Sequence, residues 1–170
     1  MTPSGRSLLG ADERVHSRRW LMPAAVMVGS LLSLLPLVAT APLLPPFGLM
    51  LLIGWRFLMP GKVPAWFALP LGLFDDLVSG QPVGSAVVLW TLCLLGIDVL
   101  DTRLMWRSFW QDWLVASGAV AFCLIGGRIF AAPLSSHVDT ALMIQIAASV
   151  VLLPVVFRIA AWLDLKRVVA

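Results

Sequence analysis

Residues 64–85 read PAWFALPLGLFDDLVSGQPVGS and decide the fold, because they set two adjacent acids inside a long apolar stretch. Gly72, Asp76, Gly80 and Gly84 follow one another at intervals of four residues, and on a helix that interval brings the first three to one face. Glycines there would let a neighbouring backbone approach closely, and a carboxylate, which is costly in lipid, should point into a helix bundle. The alternative interpretation is an ordinary helix end, with glycines in a turn and Asp76 among lipid headgroups.

The composition assigns the chain to the membrane. Of its 170 residues, 60% are hydrophobic and only 12% are charged, whereas soluble domains carry about 25% charged residues. A soluble core of this size could not hide so much apolar surface from water. We therefore expect an all-α integral membrane protein with one domain. The net charge of +3 indicates basic loops on one side of a membrane rather than a nucleic-acid-binding surface.

Apolar segments separated by prolines, glycines and charges predict a six-transmembrane-helix bundle over residues 20–163. A polar tail, residues 1–19, precedes the bundle, and a basic tail, residues 164–170, follows it. The predicted spans are residues 20–40, 46–59, 63–79, 83–100, 113–132 and 140–163. The second and third spans are short, so local bilayer thinning, tilt and a partly re-entrant hairpin all stay open. The segment 101–112 is predicted to be an amphipathic connector in the interface.

The distribution of basic residues predicts the orientation. With six spans, nearly all Lys and Arg fall on one side, which is the pattern of cytoplasmic loops. These residues are Arg6, Arg14, Arg18, Arg19, Arg56, Lys62, Arg103, Arg107, Lys166 and Arg167. Both termini are therefore predicted to be cytoplasmic, with the first span an uncleaved anchor and Asp76 one turn below the outer surface.

The adjacent acids Asp75 and Asp76 are the strongest candidate site. An intramembrane protease with two aspartates is the catalytic alternative, but adjacent helical residues project about 100° apart and do not face each other. Asp98 could supply a second acid only from near the opposite membrane face, so no catalytic residue is expected. Arg128 is predicted on the outer half, where it either snorkels to the interface or pairs with Asp76; both alternatives stay open.

Two further charged groups are predicted to be unremarkable interfacial side chains. Arg56 lies near the end of the second span, where it can snorkel. Asp98 and Asp101 end the fourth span beside Arg103, and they are predicted to form an exposed ion pair that contributes little to stability.

No metal or cofactor site is predicted. Cys93 and Cys123 lie inside apolar runs, where we expect free thiols that pack as small hydrophobes rather than a disulfide or a metal pair. His16 and His137 lie in separate polar segments without a cluster of further ligands. The sequence contains no phosphate loop and no Ser-His-Asp arrangement.

The glycine–aspartate pattern resembles the signature of the MreD family of rod shape-determining proteins. Gly72, Asp76, Gly80 and Gly84 all fit it, whereas Asp75 before the motif aspartate is less typical. The number and order of the predicted helices extend the resemblance over most of the chain, as does a last span that contains a proline and ends in a basic tail. The resemblance implies a structural or partner-contact role for the four motif residues, with Asp75 and Arg128 as accessory candidates.

The resemblance implies a non-enzymatic scaffold in the bacterial inner membrane that regulates cell shape without a cofactor. Members of the family work with the membrane protein MreC, the actin homologue MreB and the peptidoglycan synthases of the elongation complex. Their architecture is similar to that of the substrate-binding subunits of energy-coupling factor vitamin transporters. That likeness supplies the rival function, a substrate-binding subunit of a vitamin-type transporter. The short, nearly uncharged outer connections favour the scaffold.

Overall fold

The computed structural model describes residues 20–32, 45–103, 108–131 and 138–169. Within these ranges the regular structure is helical, which confirms the predicted all-α class. The helices are α1 (Leu21–Leu32), α2 (Phe47–Leu58), α3 (Ala68–Ser79), α4 (Ser85–Arg103), α5 (Phe109–Ala131) and α6 (Val138–Val169), with a 3-10 turn at Ala65–Phe67.

Three of the described helices are long and apolar enough to cross a membrane. The spanning segments are Ser85–Arg103, Phe109–Phe130 and Thr140–Leu165. At about 1.5 Å per residue, 19 residues of α4 reach close to the thickness of a hydrocarbon core of about 30 Å. The described parts of α1, α2 and α3 have 12 residues each, which is shorter than the roughly 20 residues of a standard membrane span.

The second helix lies at the centre of the bundle. Eight of its 12 residues are buried, and it packs against α1, α5 and α6. The third helix lies between α1 and α4. In contrast, only 17% of the spanning windows of α5 and α6 is buried within the molecule. Their apolar outer faces are therefore available to lipid or to other membrane helices.

Several helix ends differ from the predicted boundaries. The predicted connector 101–112 is wrong at both ends, because α4 continues to Arg103 and α5 begins at Phe109. The last helix runs past residue 163 to Val169, so most of the predicted tail is helical. The second half of the predicted first span, residues 33–40, lies outside the described residues.

Pro70 does not interrupt the third helix, because it lies close to the beginning of that helix. The chain first forms the 3-10 turn Ala65–Phe67, and α3 begins at Ala68. This start places Pro70 in the first helical turn, where its missing N–H would have no intrahelical acceptor. The helix after it is continuous to Ser79. Likewise, α6 stays helical through Pro154.

Candidate functional site

The Asp76 carboxylate joins the end of α3 to the beginning of α4. Its Oδ2 accepts a hydrogen bond from the Gly84 N–H at 2.7 Å. Its Oδ1 accepts one from the Ser85 hydroxyl at 2.9 Å and one from the Ala86 N–H at 2.9 Å. Asp76 is 1% exposed. We call this group of four residues the Asp76 clamp.

The local sequence explains how Asp76 reaches this position. The third helix ends one turn after Asp76 at Gly80, which adopts the left-handed conformation with φ 68°. The chain then turns through Pro82, and Gly84 has φ 100°, a value that side chains disfavour. The turn brings the free N–H groups of the α4 N-terminus onto the carboxylate. Asp76 thus acts as an N-cap supplied by another helix, and its negative charge also favours the positive end of the α4 dipole.

Gly72 lets α3 and α4 come into backbone contact. A Cβ atom added there would lie 2.8 Å from Val87 Cα and 2.9 Å from Val87 N. Because these are backbone atoms, any side chain at this position would push the two helices apart. This is the close approach predicted for the glycine–aspartate face.

The same prediction is wrong for Gly80. A Cβ atom at Gly80 would meet nothing within 4 Å, since the chain has left the helix and Gly80 forms the left-handed cap instead. Gly84 is equally uncrowded and contributes its N–H to Asp76. The four motif residues therefore have three different roles. Gly72 packs against α4, Asp76 accepts hydrogen bonds, and the last two glycines form the turn.

The buried face of α3 is wider than the motif. Its buried residues are Ala68, Leu71, Gly72 and Asp76. Leu71, which is not a motif residue, belongs to this buried face, with an exposure of 4%. Leu77, at 67% exposed, is the outward-facing leucine of this helix.

Asp75 takes no part in the clamp. Its half-buried side chain lies beside the hydroxyl of Ser30 on α1. Ser30 is 1% exposed, and its hydroxyl oxygen is buried without a hydrogen-bond partner among the described residues. The two adjacent acids therefore face different helices, Asp75 toward α1 and Asp76 toward α4, and they do not form a dyad.

The proposed pairing of Arg128 with Asp76 is wrong. Asp76 is bonded to three groups of α4 and the preceding turn, and no ion pair between it and Arg128 occurs within the described residues. Arg128 lies in the last turn of α5, where a cation favours the helix dipole. Its Nε is buried without a hydrogen-bond partner there. A Cβ at the preceding Gly127 would lie 3.5 Å from Gln81 Oε1, so this end of α5 packs near the turn that follows α3.

A second polar contact, which sequence reasoning missed, joins α2 to the other end of α4. Arg56 Nε donates to Asp98 Oδ1 at 3.1 Å. Arg56 Nη2 forms ion pairs with Asp98 Oδ1 and, at 2.8 Å, with Asp101 Oδ2. The Arg56 side chain is 4% exposed, against 42% for Asp98 and 22% for Asp101. We call these three residues the Arg56 cluster.

The Arg56 cluster corrects two predictions. Arg56 does not snorkel, and Asp98 and Asp101 do not form the predicted exposed pair with Arg103. A planar guanidinium can donate to two carboxylates from separate nitrogens, whereas an ammonium donates from one nitrogen only. The sequence signal that indicates this cluster is the spacing of Asp98 and Asp101. Because they are three positions apart, they share one face of α4, where a cation from another helix can pair with both.

The described residues contain no group of three or more His, Cys, Asp or Glu side chains suited to a metal ion. His16 and His137 lie outside the part of the chain that the structure describes.

The two polar contacts have a mechanical role, because each fixes one end of α4. The Asp76 clamp holds its N-terminus, and the Arg56 cluster holds its C-terminus.

The sequence of the chain matches one known protein family over most of its length. A family model described as "rod shape-determining protein MreD" matches residues 16–161. The comparisons with curated proteins and with solved structures gave no match, so the predicted similarity to vitamin-transporter subunits stays a prediction. The matched region includes α1 to α5, most of α6, the Asp76 clamp and the Arg56 cluster. The chain belongs to the MreD family of rod shape-determining membrane proteins.

Proposed function

We propose that the chain is a non-enzymatic scaffold of the inner membrane. In this role it couples an MreC-like membrane protein, an MreB-type actin homologue and the peptidoglycan synthases of the elongation complex. Family membership supplies the role in rod shape. The structural observation that supports a scaffold is the use of the buried polar groups.

The buried polar groups form contacts within the bundle and do not converge on a cavity. The buried polar residues of the described part are Ser30, Arg56, Asp76, Ser85 and Ser149. Arg56, Asp76 and Ser85 bind helix to helix, and Ser149 bonds the backbone of its own helix. A solute-binding subunit needs a concave pocket with several convergent polar groups. The arrangement therefore favours a protein whose working surfaces are the outer helix faces, in contact with lipid and with partner helices.

Depletion of the protein in its host tests this function. Cells should lose rod shape, round up and swell, while vitamin uptake stays normal. Purification from mild detergent should recover an MreC-like protein, and re-expression of the unaltered chain should restore rods. If depleted cells keep their shape but lose uptake of one vitamin, the scaffold is excluded and the transporter subunit replaces it.

We also propose six crossings with both termini in the cytoplasm. The Arg56 cluster requires the end of α2 and the end of α4 to lie on one side. The Asp76 clamp requires the end of α3 and the beginning of α4 to lie on the other. Positive loops are cytoplasmic, so the Arg56 side, which also has Lys62 and Arg103, is assigned to the cytoplasm.

Reporter fusions check this orientation. A periplasmic reporter should be active after Gln81, and a cytoplasmic reporter should be active after Lys62 and after Ala170. Each site is fused to both reporters in turn. Activity of one reporter at a site then shows that a fusion at this site is expressed, so that the inactivity of the other reporter reports on location. A periplasmic signal at Ala170 would contradict the even number of crossings.

A further inference from the structure

Two thiols meet in the interior of the bundle between α4 and α5. Cys93 and Cys123 are 6% and 7% exposed, and their Sγ atoms lie 3.1 Å apart. Both are free, which confirms the predicted free thiols. Their contact was not predicted, because 30 positions separate them in the sequence. The Cys93 thiol also approaches the Ala119 carbonyl at 3.4 Å, so it is oriented toward α5 rather than toward lipid.

We propose that Cys93 and Cys123 are a thiol-oxidation site that forms a reversible disulfide between α4 and α5. The sulfurs need to approach by about 1 Å to reach the 2.03–2.05 Å of a disulfide. The two sulfurs belong to helices that already pack against each other. Two sulfurs held in contact react at a high effective concentration.

The alternative use of paired thiols, metal binding, is disfavoured. Structural zinc sites need four protein ligands, and catalytic sites need three. No third His, Cys, Asp or Glu completes such a group within the described residues. The remaining chemistry of two adjacent thiols is oxidation.

The oxidant is a lipid-soluble two-electron acceptor of the quinone class. The two S–H bonds break, one S–S bond forms, and the two electrons and two protons reduce the quinone to a quinol. Burial in apolar surroundings makes thiols slow to react with oxidants in water, whereas a lipid-soluble acceptor can enter the same apolar phase. The resulting crosslink would fix the packing of α4 on α5 near the middle of both helices.

Diamide, a neutral two-electron oxidant that permeates membranes, is the probe. One thiol adds across its N=N bond, and the second sulfur then displaces the hydrazine, which carries away both protons and both electrons. The full-length protein in membranes is treated, denatured in SDS and labelled with a maleimide–polyethylene glycol. Labelling should fall from two thiols per chain to none, and a reducing agent added before labelling should restore both. Intact mass should fall by the mass of two hydrogen atoms, without a covalent adduct.

A matched variant separates this pairing from general reactivity. Leu92 lies beside Cys93 on α4 but is 50% exposed. The double variant Leu92→Cys/Cys93→Ser keeps two thiols at nearly the same depth and moves one to the outer face. It should keep both labels after diamide, and the single variant Cys93→Ser should keep one.

The opposite results would overturn the proposal. Retention of both labels in the unaltered chain, under conditions that oxidise the SDS-unfolded protein, would show that the folded pair cannot close. Equal loss of labels in the Leu92→Cys/Cys93→Ser variant would show that no specific pairing exists. A disulfide-linked dimer of the unaltered chain, in place of a monomer that has lost both labels, would show that the thiols react between molecules instead.

Discussion

Replacing Arg56 with leucine is expected to lower the free energy of unfolding by about 3 kcal/mol, since removal of one partner leaves the other charges of a buried ion pair uncompensated. The loss should lie near the lower end of the range for buried pairs, because Asp98 is 42% exposed and water can solvate part of its charge. The measurement is the unfolding midpoint in a mild detergent titrated with SDS.

The Arg103→Leu variant is the control for this change. Arg103 lies in the last turn of the same helix that provides Asp98 and Asp101, and its side chain is exposed. This substitution removes the same charge without breaking the Arg56 cluster, so the unfolding midpoint should change little.

The complete removal of the cluster distinguishes a broken ion pair from a lost packing contact. In the triple variant Arg56→Leu/Asp98→Asn/Asp101→Asn, no buried charge is left unpaired, so much of the stability should return. An Arg56→Lys variant should fall between, because an ammonium keeps the charge but lacks the planar fork in which Nε and Nη2 donate to the two carboxylates. Equal losses for Arg56→Leu and Arg103→Leu would contradict a stabilising role of the Arg56 cluster.

Helical periodicity stops being informative where the helix α3 ends. The four-residue interval correctly linked Gly72 to Asp76, because both belong to one helix. It failed at Gly80, since α3 ends at Ser79 and the next residue turns into the left-handed region. A period of 3.6 residues has no meaning beyond a helix end, and the sequence marks that end only by a glycine two residues before a proline.

The four-residue interval also gives only part of the buried face of α3. The buried positions Ala68, Leu71, Gly72 and Asp76 follow intervals of three and four residues, which is the spacing of one helical stripe. The motif alone contains only intervals of four, and it leaves Leu71 out. In a chain in which most residues are apolar, hydrophobicity does not separate a core leucine from a lipid-facing one.

Long-range contacts were beyond local patterns altogether. Arg56 meets Asp98 and Asp101 across 42 and 45 positions. A charge inside an apolar segment does indicate that a partner is needed, but it does not identify that partner. The predicted alternation of helix directions was sufficient to place all three residues on one side of the membrane. For this cluster, the sequence therefore predicts the side but not the contacts.

The Asp76→Leu variant tests the other end of α4. The substitution leaves two backbone N–H groups and one hydroxyl at the helix N-terminus without their acceptor. Loss of an N-cap costs about 0.5–2 kcal/mol, and each further unsatisfied buried donor adds about 1–3 kcal/mol. We expect a loss of about 3 kcal/mol in the SDS titration. The Leu77→Ala control, at a position 67% exposed, should lose much less.

A double-mutant cycle then assigns the loss to the clamp itself. Ser85→Ala alone removes one of the three hydrogen bonds to Asp76 and should cost about 1 kcal/mol. In the Asp76→Leu background the same change should cost almost nothing, because the Ser85 hydroxyl has already lost this acceptor. Asp76→Asn, which keeps an accepting oxygen, should fall between the unaltered chain and Asp76→Leu. If Ser85→Ala has the same effect in both backgrounds, the hydroxyl and the carboxylate act independently, and Asp76 stabilises α4 by some route other than these hydrogen bonds.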